Sequence, residues 1–298
     1  MPSESRRRAQ PEDAVAIKKD AAKSGGSPDP VPTPTPESGP DGAGELPPPT
    51  SIVAGVAAKP DDPLTLAIDV GGTHLKAGVL STAGVFVAGP SRINTPDQAT
   101  PEAVIAGLIG IIDPLGAFDR VSMGFPGVVR HGRVYTAPNL GTQAWHGFPL
   151  AQELARRLGR PVRLLNDASV QGLGVITNTG LECVITLGTG FGFALFDEGR
   201  LAPHIELGQH IARGKRTYDE YLGNAVLERI GRKKWNRHVE RAIAALETLV
   251  TFDTLYIGGG NAKHIDLDLP KSVQIVSNQA GITGGVRLWD KKLEEIAP

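Results

Sequence analysis

The sequence predicts an α/β chain folded as two lobes, with mixed sheets and a cleft between the lobes. Two observations carry that prediction. The apolar run Leu64-Thr65-Leu66-Ala67-Ile68 delivers Asp69-Val70-Gly71-Gly72-Thr73 and returns through Leu75–Leu80, which reads as strand, glycine turn, strand. More than a hundred residues later, Cys183–Leu187 leads into Gly188-Thr189-Gly190-Phe191-Gly192 and out through Phe193–Phe196, the same unit again. A third glycine cluster, Gly258-Gly259-Gly260-Asn261, follows the strand-like Thr254–Ile257.

The remaining elements alternate. Strands are expected at Leu64–Val70, Leu75–Leu80, Arg120–Phe125, Val162–Leu165, Cys183–Leu187, Phe193–Phe196, Thr254–Ile257 and Val273–Val276. Helical spacing fills the gaps. Glu102–Asp113 places Val104, Ile105, Leu108, Ile109 and Ile112 on one face, and Leu150–Leu158 ends at Gly159, a fitting C-cap before Pro161. A helix is expected to start at Asp167 and run through Ser169 and Leu173. Trp235–Phe252 carries a stripe of Val239, Ile243, Leu246, Leu249 and Val250, and Gly284–Ile296 reads as a helix returning to the core. This order implies a mixed sheet wrapped by helices in each lobe.

Residues 1–62 are different in composition. More than half of the 24 prolines lie at or before Pro63, among Ser, Gly, Asp and Glu, with few large apolar side chains to bury. This arm is expected to be disordered, with Pro28–Pro36 locally extended as a spacer and at most a short helix around Glu12–Ala22. The prolines exclude a DNA-reading pair of helices there. The folded part divides at about residue 170, into 63–170 and 171–298. A net charge of −1 over 298 residues argues against a nucleic-acid partner. No apolar run reaches membrane-spanning length, and the single Cys183 cannot form an intrachain disulfide, which fits a cytoplasmic location and a buried structural thiol.

The glycine turns have a chemistry of their own. Paired glycines let bare backbone N–H groups approach phosphate oxygens, Thr73 adds a hydroxyl, and Asp69 can hold Mg²⁺, through water. The Gly258–Gly260 turn offers close backbone approach to a flat ligand such as an adenine ring.

These motifs together resemble the ROK (repressor, open-reading-frame, kinase) sugar kinases. Asp69–Thr73 is similar to that family's first phosphate motif, Leu187–Gly192 to the second, and Leu255–Gly260 to its adenosine motif. Phe125-Pro126-Gly127 and Ala137-Pro138-Asn139-Leu140 resemble its sugar-side loop, and Asn166-Asp167-Ala168 its catalytic segment. From Gly214 through Ala262, and at Ala280-Gly281-Ile282, the similarity is closest to the polyphosphate glucokinase branch. The resemblance spans about residues 63–298 and implies a two-lobed actin-like (ribonuclease H-like) ATPase fold. It implies a hexokinase that takes a phosphoryl group from ATP or polyphosphate, with Mg²⁺, to the 6-hydroxyl of a hexose such as glucose, and a homodimeric assembly.

Within that frame Asp167 is the candidate general base, at an ordinary carboxylate pKa because proton loss is late in a loose transition state. An N-cap role for the same aspartate stands beside it. Asp69, Gly71, Gly72, Thr73, Gly188, Thr189, Gly190, Gly258, Gly259 and Gly260 are the candidates for the donor and its metal. Asn139, Asn166 and Glu206 suit sugar hydroxyls. The family's Glu-x-Gly-His element would place histidine at 209, where this chain reads Glu206-Leu207-Gly208-Gln209-His210; Gln209 is expected in the sugar site with His210 beside it. The family's cysteine-based zinc site is excluded by the single cysteine. Arg213, Lys215, Arg216, Arg229, Arg232, Lys233, Lys234, Arg237 and Arg241 suggest a cationic track for polyphosphate, against a plain solvated face. The rival functional reading is a catalytically degenerate or sugar-sensing relative.

Overall fold

The computed structural model describes residues 62–277 and 280–290. Nearly all of the proline-rich arm, including the helix considered over Glu12–Ala22, lies outside the described residues, as does the chain beyond Asp290.

Two five-stranded sheets follow one plan. In the first, β1 (Thr65–Val70), β2 (His74–Leu80) and β3 (Phe86–Asn94) form an antiparallel meander. After α1 (Pro101–Ile112) the chain returns as β4 (Arg120–Phe125), parallel to β1. A short hairpin, β5 (Val129–Arg130) with β6 (Arg133–Val134), and two helices, α2 (Thr142–Trp145) and α3 (Leu150–Leu158), lead to β7 (Val162–Asn166), parallel to β4. The order is β3-β2-β1-β4-β7. After α4 (Asp167–Leu173), a second meander of β8 (Leu181–Leu187), β9 (Phe191–Asp197) and β10 (Arg200–Leu201) begins the other sheet. The β11 (Ile211–Arg213) and β12 (Arg216–Thr217) hairpin, then α5 (Tyr218–Leu222), α6 (Asn224–Ile230) and α7 (Arg232–Val250), precede the parallel strands β13 (Thr254–Gly258) and β14 (Val273–Ile275). The order is β10-β9-β8-β13-β14, so the repeat seen in the glycine turns is a repeat of topology.

Local chemistry explains the elements. The central strands β1, β4, β8 and β13 are nearly continuous apolar runs, as strands covered on both faces must be. Thr100 caps α1 by accepting the Ala103 N–H at 3.2 Å, Pro101 supplies a preset first turn, and Val104, Ile105, Leu108, Ile111 and Ile112 are buried. Edge strand β3 was not expected from the sequence; Gly89-Pro90 interrupts its alternation, and proline is tolerated there because the strand borders no further partner. In α7 the buried stripe is Trp235, Val239, Ala242, Ile243 and Leu246, whereas Leu249, expected in the stripe, is 67% exposed in the last turn of the helix.

α4 joins the two halves. It packs on β4 and β7 of one sheet and on β8 and β9 of the other, and six of its seven residues are buried. Gly172 is what permits this, because a side-chain carbon there would overlap the Phe196 ring of β9. The tail returns as expected but as a 3-10 helix over Gly284–Trp289, not an α-helix. Trp289 Nε1 donates to Ser122 Oγ at 2.9 Å, Ser122 Oγ donates to the Gly285 carbonyl at 2.6 Å, and the Arg163 guanidinium lies over the Trp289 ring at 4.4 Å.

One buried carboxylate anchors the second sheet. Glu182 is fully buried on β8 and accepts from Thr177 N (2.7 Å), Thr177 Oγ1 (3.0 Å), Asn178 N (2.8 Å), Thr179 N (3.3 Å) and Tyr256 OH (3.0 Å). Removing the acceptor strands all these donors. Glu182→Ala is expected to lower unfolding free energy by about 3 kcal/mol or more, and Tyr256→Phe by about 1 kcal/mol, in urea titrations; an unchanged midpoint for Glu182→Ala would contradict the network.

Candidate active site

The two glycine turns meet. Thr73, after β1, and Thr189, after β8, bring their hydroxyls within 3.3 Å, one turn from each sheet. Around them opens a cleft of about 630 Å³, walled by both turns, by the 138–139 loop, by the N-terminal end of α4 and by Gly259-Gly260. Asp69, Gly71, Gly72, Thr73, Asn139, Asn166, Asp167, Gly188, Thr189, Gly190, Glu206, Gly259 and Gly260 all line it. Gly258 does not; as the last residue of β13 it is paired with Thr186, behind the turn. Gly259 requires its glycine, since φ is +84° and a side chain would run into the Leu187 backbone.

Asp167 opens α4 at the floor of the cleft. The N-cap is Asn166, whose Oδ1 accepts from Ala168 N (2.9 Å) and Ser169 N (3.4 Å), so the capping role weighed for Asp167 belongs to its neighbour. The Asn166 amide donates to the Gly127 carbonyl at 3.1 Å, which occupies its other end in holding the Pro126-Gly127 loop rather than a ligand. Asp167 Oδ1 accepts from Ala168 N at 2.8 Å, while part of the carboxyl stays open to the cleft. Burial of most of the group, then the neighbouring Asp69 carboxylate, with a smaller push from Glu206, raises its pKa to about 7. That departs from the ordinary carboxylate value expected from the sequence.

Asp69 is paired. The antiparallel register of β1 and β2 sets Lys76 opposite it, and Lys76 Nζ donates to Asp69 Oδ2 at 2.8 Å. Glu206 Oε2 accepts from Thr136 Oγ1 at 3.5 Å and lies 3.6 Å from His204 Nε2. Among the described residues no group of three or more His, Cys, Asp or Glu is placed to hold a metal ion. A caged metal is therefore not what this cleft fits. A hydrated Mg²⁺ would have the Asp69 carboxylate as its ligand from this chain.

The structure corrects two expectations. Gln209 and His210 are both exposed and neither lines the cleft; the 3-10 turn over Leu207–Gln209 buries Leu207 and Gly208, and Gln209 Nε2 donates instead to Asp219 Oδ2 at 2.6 Å. None of the nine basic residues proposed as a polyphosphate track lines the cleft. Arg213 and Arg241 line a separate cavity of about 300 Å³ with Tyr218 and Tyr221, while Lys76 and Lys263 are the lysines lining the cleft.

Several cleft residues escaped the sequence reading. Lys76 could have been found by pairing the two strands across their turn. His204, two residues before Glu206, stands beside that carboxylate without itself lining the cleft. Asp219, whose Oδ1 accepts from Phe191 N at 2.7 Å and whose pKa is raised by burial, stiffens the second turn from α5; nothing local signals that long-range contact. Gln171 lines the cleft one helical turn beyond Asp167.

Comparison with known proteins agrees with this geometry. The ROK family profile matches residues 65–227. A polyphosphate glucokinase of Mycobacterium tuberculosis is 32% identical over 234 residues, covering 73% of this chain and 88% of the relative. A glucokinase of Streptomyces coelicolor is 28% identical over 229 residues, covering 68% and 69%. In structure, the inorganic polyphosphate/ATP-glucomannokinase of Arthrobacter sp. strain KM superposes with a TM-score of 0.69 at 30% identity, over 76% of this chain and 97% of that one. A ROK family glucokinase from Streptomyces griseus, solved with glucose and AMPPNP, shares the fold at a TM-score of 0.64 and 19% identity, over 76% and 98%. With its paired sheets, apposed glycine turns and family match over more than half its length, the chain has the two-lobed actin-like ATPase fold and belongs to the ROK family.

Proposed function

We propose that this protein is a hexose kinase that moves a phosphoryl group from ATP or inorganic polyphosphate to the 6-hydroxyl of a hexose, glucose being the best supported. The observation that carries the reading is the position of Asp167, a part-open carboxyl that lines one cleft with Asp69 of one glycine turn and Thr189 of the other. Phosphoryl transfer asks mainly for alignment and for neutralisation of charge spreading over the transferred oxygens. The backbone amides of Gly72-Thr73 and Thr189-Gly190 grip the donor from both sheets, while those of Gly71 and Gly188 close their turns on the His74 and Gly190 carbonyls. Mg²⁺, carried on Asp69 and the donor, would supply further charge neutralisation.

Asp167 takes the proton of the attacking hydroxyl. A carboxylate poised near neutrality matches that work better than one of ordinary acidity, because half-protonation at working pH leaves both a populated base and useful basicity. Asn139 and Glu206 line the cleft and offer polar atoms to sugar hydroxyls, Glu206 with one oxygen also on Thr136, while the Asn166 amide holds the Gly127 carbonyl. The names of the relatives support polyphosphate as a donor, and the Gly259-Gly260 wall supports a nucleotide. The degenerate alternative is disfavoured because Asp69, Asp167 and Glu206 meet in one cleft.

The decisive assay supplies purified protein with glucose and Mg²⁺, and in turn ATP or long-chain polyphosphate, and follows glucose 6-phosphate. Absence of product with glucose, mannose and N-acetylated hexoses alike would sink the kinase reading. Asp167→Asn is expected to cut turnover at least a hundredfold with glucose binding retained; a variant keeping more than a tenth of the rate would refute the base assignment. In the parent, kcat/KM should fall about tenfold per pH unit below pH 7, following the raised Asp167 pKa.

The same shift predicts a stability signature. An acid whose folded pKa exceeds its unfolded one binds more protons folded than unfolded, so the fold loses stability as pH rises from the unfolded value to about 7. Asp167→Asn, which keeps the acceptor for Ala168 N, should raise Tm at pH 8 with the gain disappearing toward pH 4. A Tm difference independent of pH would contradict the shift.

A further inference from the structure

The second cavity, of about 300 Å³, is lined by Arg213 of β11, Tyr218 and Tyr221 of α5, and Arg241 of α7, and it shares no lining residue with the cleft. It gathers positive charge that the fold does not neutralise. The hairpin register sets Arg213 directly opposite Arg216, an arrangement of like charges that costs stability. Among the described residues none of Arg213, Arg216 and Arg241 is ion-paired. The acids nearest to the hairpin in the chain are committed elsewhere, Asp219 to Phe191 N and Gln209 Nε2, and Glu220 to Thr217 N. Convergence of the three guanidinium groups is felt at His238: burial lowers its pKa, the Tyr221 carbonyl opposes that, and Arg241, Arg216 and Arg213 lower it further, so the imidazole adds no charge of its own at pH 7. The walls are firm. Tyr218 and Tyr221 are buried, the Tyr221 and His238 rings stack at 3.9 Å, and Arg241 Nη1 donates to Tyr221 OH at 3.3 Å.

We propose that this cavity is a second anion site, in which Arg213 and Arg241 hold a phosphate group of a small molecule. Guanidinium forks match pairs of phosphate oxygens, and the Arg241 fork is already steadied by Tyr221. A phosphate brings nearly two negative charges to one point, where a lone carboxylate brings one, so it better relieves three uncompensated arginines. The volume suits a small ligand rather than a macromolecule, and the tyrosines give the remainder of an organic phosphate a surface to lie on. No carboxylate lines this cavity, so it needs no metal to accept a polyanion, whereas the acid-lined cleft does. An inorganic phosphate chain and a sugar phosphate present the same group. The proposal stands apart from the kinase reading.

Metal-free binding tests it. Calorimetric titrations of the full chain in EDTA use orthophosphate, inorganic tripolyphosphate, glucose 6-phosphate and malonate in separate arms. At least one phosphate ligand is expected to bind once per chain, and the tightest arm identifies the carrier. Arg213→Gln and Arg241→Gln should each weaken that binding about tenfold and the double change at least a hundredfold. Lys271→Gln, which removes a positive charge that lines neither cavity, should leave it within twofold. Arg213→Gln relieves the opposition to Arg216, so its ligand-free Tm should be unchanged or higher. Arg241→Lys, which keeps the charge and loses the fork, should weaken binding severalfold and is the decisive variant if the glutamine forms do not fold. No binding in any phosphate arm, affinity untouched by the arginine changes, an equal loss for Lys271→Gln, or malonate bound as tightly as orthophosphate would overturn the proposal.

Discussion

The structure depends on one crowded carboxyl. Asp167 begins a helix packed between two sheets, near Asp69 and Glu206, so it loses water and meets like charge at once. The helix N-terminus and the Ala168 N–H favour its ionised form, but burial and the neighbouring carboxylates outweigh them, and the group titrates near neutrality. The fold tolerates this because the burial that perturbs Asp167 is the burial that joins the two halves. α4 cannot withdraw without undoing the packing of Ala168, Val170 and Leu173 against Val184, Ala194 and Phe196.

The turns that meet above Asp167 are held to each other weakly. A single hydroxyl–hydroxyl contact at 3.3 Å between Thr73 and Thr189 contributes on the order of 1 kcal/mol, less than the charge-assisted bonds a phosphate would offer the same groups. Each turn is instead braced by a side chain from another part of the fold. Thr95 Oγ1 donates to the Gly71 carbonyl at 2.7 Å, and Asp219 accepts from Phe191 N just beyond the second turn. The contact between the turns is thus weaker than the bonds that fix each turn in its own sheet.

The strands and the site were legible in the sequence to the extent that they are local. Apolar runs ending in glycine gave β1, β4, β8, β13 and the turns, and the position of Asp167 at a helix start followed from the strand before it. What was not legible depends on partners far along the chain. Lys76 needs the β1–β2 register; Glu182 and Asp219 collect backbone donors that no motif announces; β3 hides behind Gly89-Pro90. Motif alignment put Gln209 toward the sugar, but a single 3-10 turn decides which residues of that segment are buried. None of the basic residues picked out over 213–241 lines the cleft, and Arg213 and Arg241 gather instead at a second cavity, so their charge did not foretell the site.

The charge that does line the cleft limits how it can hold a phosphate chain. Lys76 and Lys263 are set against Asp69, Asp167, Glu206, Asp219 and Glu228, and Lys76 is already committed to Asp69. His74 adds nothing, since burial and then the nearby Arg92 and Lys76 lower its pKa and keep it neutral at pH 7. Side chains alone would therefore repel a polyanion. Grip must come from dipoles rather than charges, which is what two apposed glycine turns provide, and from cations that arrive with the donor. The glycines are thus not merely permissive of turns: Gly71 and Gly188 close them through their own N–H groups, and with the side-chain field adverse the amides of Gly72, Thr73, Thr189 and Gly190 are the dipoles each turn has left for a phosphate.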